Sequence, residues 1–132
     1  MQTQRRINMT EAIEIVKKLN RAFETKDQAA FASLLHPRYT FKGSMMQMNS
    51  PKEAVEFLAQ CPFKAKHQNA QFHEAGDTVI QIFDWVVEEP FKGTIHMCSV
   101  ITLKGGKVLS EELFYDSAKF PKEVLEGMKT NA

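Results

Sequence analysis

The chain has 132 residues, 43% hydrophobic and 25% charged, with 17 Lys and Arg against 16 Asp and Glu. That length suits one domain spanning 1–132, because domains run to about 100 to 200 residues. So even a charge balance offers no electrostatic hold on nucleic acid or an anionic membrane surface, and neither is expected as a partner.

The segment Met1 to Arg6 is basic and runs straight into an amphipathic stretch, without the apolar core or cleavage site of a signal peptide. No apolar run approaches the roughly 20 residues of a membrane span. Cys61 and Cys98 have neither zinc-ribbon spacing nor the density of a secreted scaffold, so they read as reduced thiols and the chain as cytoplasmic.

Thr10 is placed to cap a first helix, in which Ile13, Val16, Leu19 and Phe23 follow one buried face to about Thr25. Asp27 caps a second, shorter helix that turns Ala30, Phe31, Leu34 and Leu35 inward before His36-Pro37. Tyr39, Phe41 and Gly43 then alternate with Thr40 and Lys42 as a short strand. Ser50-Pro51-Lys52-Glu53 opens a third helix with a capping serine, a proline at the first helical position and a glutamate that answers the cap. Pro62 closes it. From Phe63 onward, β-branched and aromatic residues broken by Gly-Asp, Pro-Phe-Lys-Gly and Gly-Gly predict a meander of strands near 64–74, 78–88, 94–104 and 107–116, followed by a helix over 121–128. Helices first and strands afterward make an α+β fold.

The turn Lys104-Gly105-Gly106-Lys107 allows positive φ at both central positions and sets a register. Counting from it puts Ser99 opposite Glu112, Met97 opposite Phe114 and Ile95 opposite Asp116 on one apolar face. An even loop after Glu88 adds Ile82 and Asp84 to that face; an odd one substitutes Phe83 and Trp85. The opposite face is apolar as well and needs its own cover, for which a second copy is expected, a homodimer packed through the convex side of the sheet.

Helix, helix, strand, capped helix and a four-strand meander ending in Gly-Lys-Val and then Asp116 resemble the nuclear transport factor 2-like superfamily. The resemblance rests on Leu19 to Phe41, Ser50 to Leu58 and Gly76 to Asp116, and within the superfamily it is strongest to SnoaL-like polyketide cyclases and ketosteroid isomerases. It implies a cone-shaped, curved antiparallel sheet wrapped around three N-terminal helices, with a deep apolar pocket between them. It also favours the even loop, with Asp84 inward. The tyrosine and two aspartates of ketosteroid isomerases fall on Leu19, Gly43 and Ser99, so that machinery is missing and the chain is not expected to be a ketosteroid isomerase. The terminal-strand aspartate of the cyclases falls on Asp116, where it acts as acid and base in aldol closure.

Asp116 therefore reads either as a proton shuttle or as a cap for Ser117 to Lys119. Asp84, between Phe83 and Trp85, needs a partner if buried: His67 would make a base with its orienter, and Asn69 an internal polar bridge. Glu112 is either a third pocket acid or a rim residue. Met45, Met46 and Met48 form either an adaptable lid or core filling. Leu19, Tyr39, Phe41 and Phe57 are expected in the core or pocket wall, together with Ile82, Met97 and Phe114.

His96 belongs to the outer face, and the histidines show no metal-ligand spacing, so no metal is expected. The phosphate loop, nucleophile elbow and dinucleotide fingerprint are all missing, and no cofactor is expected. Two readings stand: acid/base chemistry such as aldol cyclisation, isomerisation or dehydration on a small hydrophobic carbonyl compound, and a module of the same fold that binds small molecules or proteins without chemistry.

Overall fold

The computed structural model describes residues 9–131. Helix α1 (Met9–Thr25) buries Ala12, Val16, Leu19 and Ala22 at three- and four-residue spacing; the cap expected at Thr10 lies outside the described side chains. Lys26 breaks the helix with a left-handed backbone (φ 57°). Asp27 then caps α2 (Gln28–Ser33), its Oδ1 accepting from the Ala30 N–H at 3.0 Å.

The second helix ends sooner than its apolar pattern suggests, and Leu35 already starts strand β1 (Leu35–Lys42). Pro37 lies inside that strand. It has no N–H to pair, and the ladder to the neighbouring strand slips there, from Leu35 opposite Val108 to Thr40 opposite Ser110. A two-residue strand β2 (Gln47–Met48) folds back on β1, with Phe41 opposite Met48, so part of the methionine-rich segment is a hairpin. In α3 (Pro51–Gln60) the Glu53 N–H donates to Ser50 Oγ at 3.2 Å, and Glu53 Oε1 accepts from the Asn49 N–H at 2.8 Å. The reciprocal cap thus closes one residue upstream of the usual box.

Strands β3 (Lys64–Ala75), β4 (Thr78–Glu89), β5 (Gly93–Lys104) and β6 (Lys107–Tyr115) form the meander within a few residues of expectation. The six-stranded sheet has the order β2-β1-β6-β5-β4-β3. It is curved and open, as expected, and antiparallel through the meander, with one parallel pairing, between β1 and β6. A single turn of 3₁₀ helix (Ser117–Lys119) and helix α4 (Lys122–Asn131) complete the described chain.

Two registers differ from expectation, and both differences reverse the faces of strands. In the β5–β6 hairpin the Gly105-Gly106 turn has positive φ at both residues and holds Leu103 opposite Val108 as expected. Leu109 is then an extra residue, and the next pairs are Thr102 with Ser110 and Ile101 with Glu111. Such a bulge exchanges inward and outward positions beyond it. In the β4–β5 hairpin Val87 pairs with Gly93, leaving the odd five-residue loop 88–92, so Phe83 faces Met97 and Asp84 faces His96. The even register with inward Asp84 is overturned. Burial follows this parity, with Val79, Gln81, Phe83, Trp85 and Val87 buried and the residues between them more open.

The core has two parts. One joins α1, α2 and α3 to the sheet around Val16, Leu58, Val79, Ile101 and Val108; the other gathers Phe63, Phe83, Trp85, Ile95, Met97 and Phe120. No helix among the described residues is long and apolar enough to cross a membrane, and both cysteines are free thiols.

Candidate active site

Between the two core clusters lies a cavity of about 120 Å³. Its walls are mainly aromatic and thioether side chains, among them Phe23, Phe31, Phe83, Trp85 and Met97. Of the residues expected in the pocket, Leu19, Tyr39, Phe41 and Phe57 line it from the helical side and β1. Met46, Met97, Ser99 and His67 line it too.

The remaining candidates lie elsewhere. Ile82 and Phe114 are exposed on the outer sheet face, at 44% and 49%, as a direct result of the two register changes. Glu112, next to Phe114, follows the same parity and leaves the cavity. Asp84 is also outward: its Oδ2 accepts from Asn69 Nδ2 at 2.9 Å, and its Oδ1 pairs with His96 Nδ1. Asn69 belongs to that outer cluster, on a bulge where it takes φ 55°, so the polar bridge it was expected to make with Asp84 exists outside the pocket. Asp116 is exposed and caps the 3₁₀ turn, its Oδ1 accepting from the Ala118 N–H at 2.9 Å. The structure therefore separates Asp116, Asp84 and His67, and only His67 reaches the cavity.

His67 has a different partner from the one expected. Glu24, on the last turn of α1, accepts with one oxygen both the His67 backbone N–H at 2.7 Å and ring Nδ1 at 2.9 Å. Because that oxygen already acts as an acceptor, Nδ1 is the protonated nitrogen, and neutral His67 carries its lone pair on Nε2. The ring packs on Phe83, with centroids 4.8 Å apart, and edge-on to Phe23 at 6.5 Å. Burial in this aromatic setting lowers the imidazole pKa, while the Glu24 hydrogen bond and charge pull the other way.

The inward acid is Glu111. Its strand position follows the Leu109 bulge, and burial raises its carboxyl pKa from 4.5 to about 7. The neighbouring Ser99 hydroxyl acts weakly in the opposite sense, although no hydrogen bond of ordinary geometry joins them. Ser99 is 1% exposed and its Oγ has no partner. Tyr39, 1% exposed, has its phenol pKa raised well above 10 by burial and by the charge of Glu111. Tyr115, also on the wall, is raised by burial. Asn20 completes the polar lining and is paired with the buried amide of Gln81.

The residues missed from sequence, Glu24 and Glu111, left unequal traces. Asn20 and Glu24 are four apart on α1 and flank the Leu19 and Phe23 stripe, a signal that helical spacing contains. Glu111 and Glu112 are adjacent in a strand with apolar residues at both parities, so nothing local separates them. Among the described residues no three His, Cys, Asp or Glu cluster as a metal site.

The model of the SnoaL-like domain matches residues 16–111. The chain belongs to the SnoaL-like family. Its fold is that of the nuclear transport factor 2-like superfamily, as solved structures show. An NTF2-like protein of unknown function from Cytophaga hutchinsonii is similar at TM-score 0.71 and 22% identity, over 89% of this chain and 96% of that one. An LEH-like epoxide hydrolase of M. tuberculosis reaches 0.73 at 18% identity, over 90% and 92%. A de novo designed protein with a curved β-sheet scores 0.74 at 14% identity, covering 96% of this SnoaL-like chain and 100% of its own. A designed scaffold matching as well as an enzyme shows that these likenesses carry the fold alone. No curated protein is significantly similar in sequence.

Proposed function

We propose that this SnoaL-like domain binds a small, mainly apolar carbonyl compound and moves protons on it, with His67 as base and Glu111 as acid. The supporting observation is that one aromatic cavity pushes two titratable groups in opposite directions, lowering the histidine pKa and raising the carboxyl to about 7, so that neutral imidazole and carboxylic acid coexist near neutral pH. His67 Nε2 takes the proton from the carbon next to the carbonyl, and the Glu111 carboxylic acid donates to the oxygen on which negative charge develops. Return of a proton to the same or a conjugated carbon, with Glu111 taking back its own as the carbonyl re-forms, gives exchange or isomerisation; a β-hydroxyl that takes the proton from the His67 imidazolium instead leaves as water, again with Glu111 reprotonated, and gives dehydration. Glu24 is a positioning residue, holding the imidazole tautomer. Each general acid or base of this kind contributes typically about 10²- to 10⁴-fold.

The test needs no knowledge of the natural substrate. Cyclic ketones and enones are incubated with protein in D₂O, and loss of the α-proton signal is followed by NMR. Wild type should exchange above buffer, and His67→Ala and Glu111→Gln should each lose roughly 10²-fold. Exchange at the buffer rate with bound ligand would assign the cavity to binding without chemistry.

The outer face, with exposed Ile82 and Phe114, is assigned to a second copy of the chain, and the site of action to the cytoplasm. The register changes alter which residues form this interface, since Phe83, Trp85 and the rest of the face expected to pair are the ones turned inward.

A further inference from the structure

The inner cavity is too small to hold a typical ligand by itself. At about 120 Å³ it is comparable to an engineered apolar cavity of roughly 150 Å³ that accepts one benzene, whereas ordinary ligand pockets measure about 300 to 1,000 Å³. A second hollow of about 890 Å³ lies between α3, the Pro90-Phe91 loop and α4, and it shares Met46, Met48, Phe57 and Phe63 with the inner one. The two are therefore neighbours, and these four side chains, two of them flexible methionines, are the neck that a ligand reaching both would have to part.

The outer hollow also has a sign. Glu53, Glu56 and Glu123 line it, and among the described residues no Lys, Arg or His does. Among the described residues the inner cavity likewise has no Lys or Arg on its walls, and burial lowers the pKa of its histidine, which favours the neutral ring. An anionic ligand would have to pass three carboxylates and leave water without meeting a cation among the described residues. On the cavity wall beside Glu111, Ser99 Oγ is 1% exposed and makes no hydrogen bond of ordinary geometry. A buried hydroxyl without a partner costs stability, and a ligand oxygen beside it would relieve that cost.

We infer that the ligand is an uncharged two-part molecule, a single oxygen-bearing ring that meets Ser99 in the inner cavity and an apolar tail that passes the Met46, Met48, Phe57 and Phe63 neck into the outer hollow. Carboxylates, phosphates and molecules carried on anionic thioesters are rejected by the three glutamates. This names the substrate class for the proposed acid/base site and rests on that reading for the identity of the cavity, but it concerns binding and is tested by binding.

Trp85 is the only tryptophan and lines the inner cavity, so its fluorescence reports occupancy directly. The probes are cyclohexanone, 4-pentylcyclohexanone and 5-(4-oxocyclohexyl)pentanoate, which differ in the tail and in its charge. The pentyl ketone should bind at least tenfold tighter than cyclohexanone, and the carboxylate at least tenfold weaker than the pentyl ketone. Glu56→Gln combined with Glu123→Gln, neither of which lines the inner cavity, should recover most of the carboxylate's loss. Ser99→Ala should weaken the pentyl ketone several-fold while leaving pentylcyclohexane unchanged. Equal affinity of cyclohexanone and its pentyl derivative, equal affinity of the neutral and anionic tails, or no quenching by any probe at millimolar concentration would each overturn the inference. The predicted order of affinities without α-proton exchange would leave it standing and refute only the catalytic reading.

Discussion

Glu111→Gln should change how stability depends on pH, in a window set by the structure. In the folded chain burial raises the Glu111 pKa from 4.5 to about 7. Below 4.5 the group is protonated in both folded and unfolded chains and makes no difference. Between 4.5 and 7 the unfolded chain releases this proton and the folded chain keeps it, so wild-type stability falls as pH rises, by about 1.4 kcal/mol per pH unit from this group. Above 7 the loss levels off at roughly 3 kcal/mol. Glutamine occupies the same space without the ionisation, so the difference between the two proteins isolates Glu111 from every other acid. Thermal melts by circular dichroism at pH 5, 6, 7 and 8 should show the variant gaining on wild type across this range, by about 10 °C in Tm for a chain of this length. Any constant offset from packing the amide cancels in the slope. A Tm difference that stays flat from pH 5 to 8 would refute the buried, proton-retaining Glu111 and with it the acid of the proposed mechanism.

Other expectations follow from the same geometry. Glu24→Gln removes the charge that favours imidazolium, so the His67 pKa, already lowered by burial, should fall further in an NMR titration of the ring; a rise or no change would contradict the Nδ1 to Glu24 hydrogen bond. Asp116→Ala should cost about 1 kcal/mol as a lost cap while leaving ketone binding and α-proton exchange unchanged; loss of exchange at unaltered stability would return Asp116 to the chemistry. Phe114→Lys, at a 49% exposed site on the outer face, should shift the chain from dimer to monomer in sedimentation without altering its melt, and wild type sedimenting as a monomer at micromolar concentration would dismiss that interface.

Much of the candidate site was readable before any coordinates. Tyr39, Phe41, Phe57, Leu19 and Met97 are large apolar residues at inward-facing periods of their own elements, and all line the cavity. The acids were harder. An acid on a strand is inward or outward by parity, and parity depends on whether one residue is inserted anywhere between it and the turn. The Leu109 bulge moved Glu112 out and Glu111 in, and the five-residue loop 88–92 moved Asp84 out. Both strands carry apolar residues at even and odd positions, so the hydrophobic pattern does not register the change. His67 lines the cavity, but its partner Glu24 is not legible from the sequence, because it lies 43 residues away on a helix whose rotation against the sheet is a matter of packing.

By itself the sequence determined the order of elements, the caps at Asp27 and Ser50, the Gly105-Gly106 turn and the α+β class. Each depends on interactions within a few residues, where side-chain type and backbone preference act directly. Only the tertiary structure decided which acid faces the cavity, which residue holds His67, and that β1 runs parallel to β6. Those outcomes turn on bulges and helix placement, where one residue of slip costs little locally yet reverses a whole face.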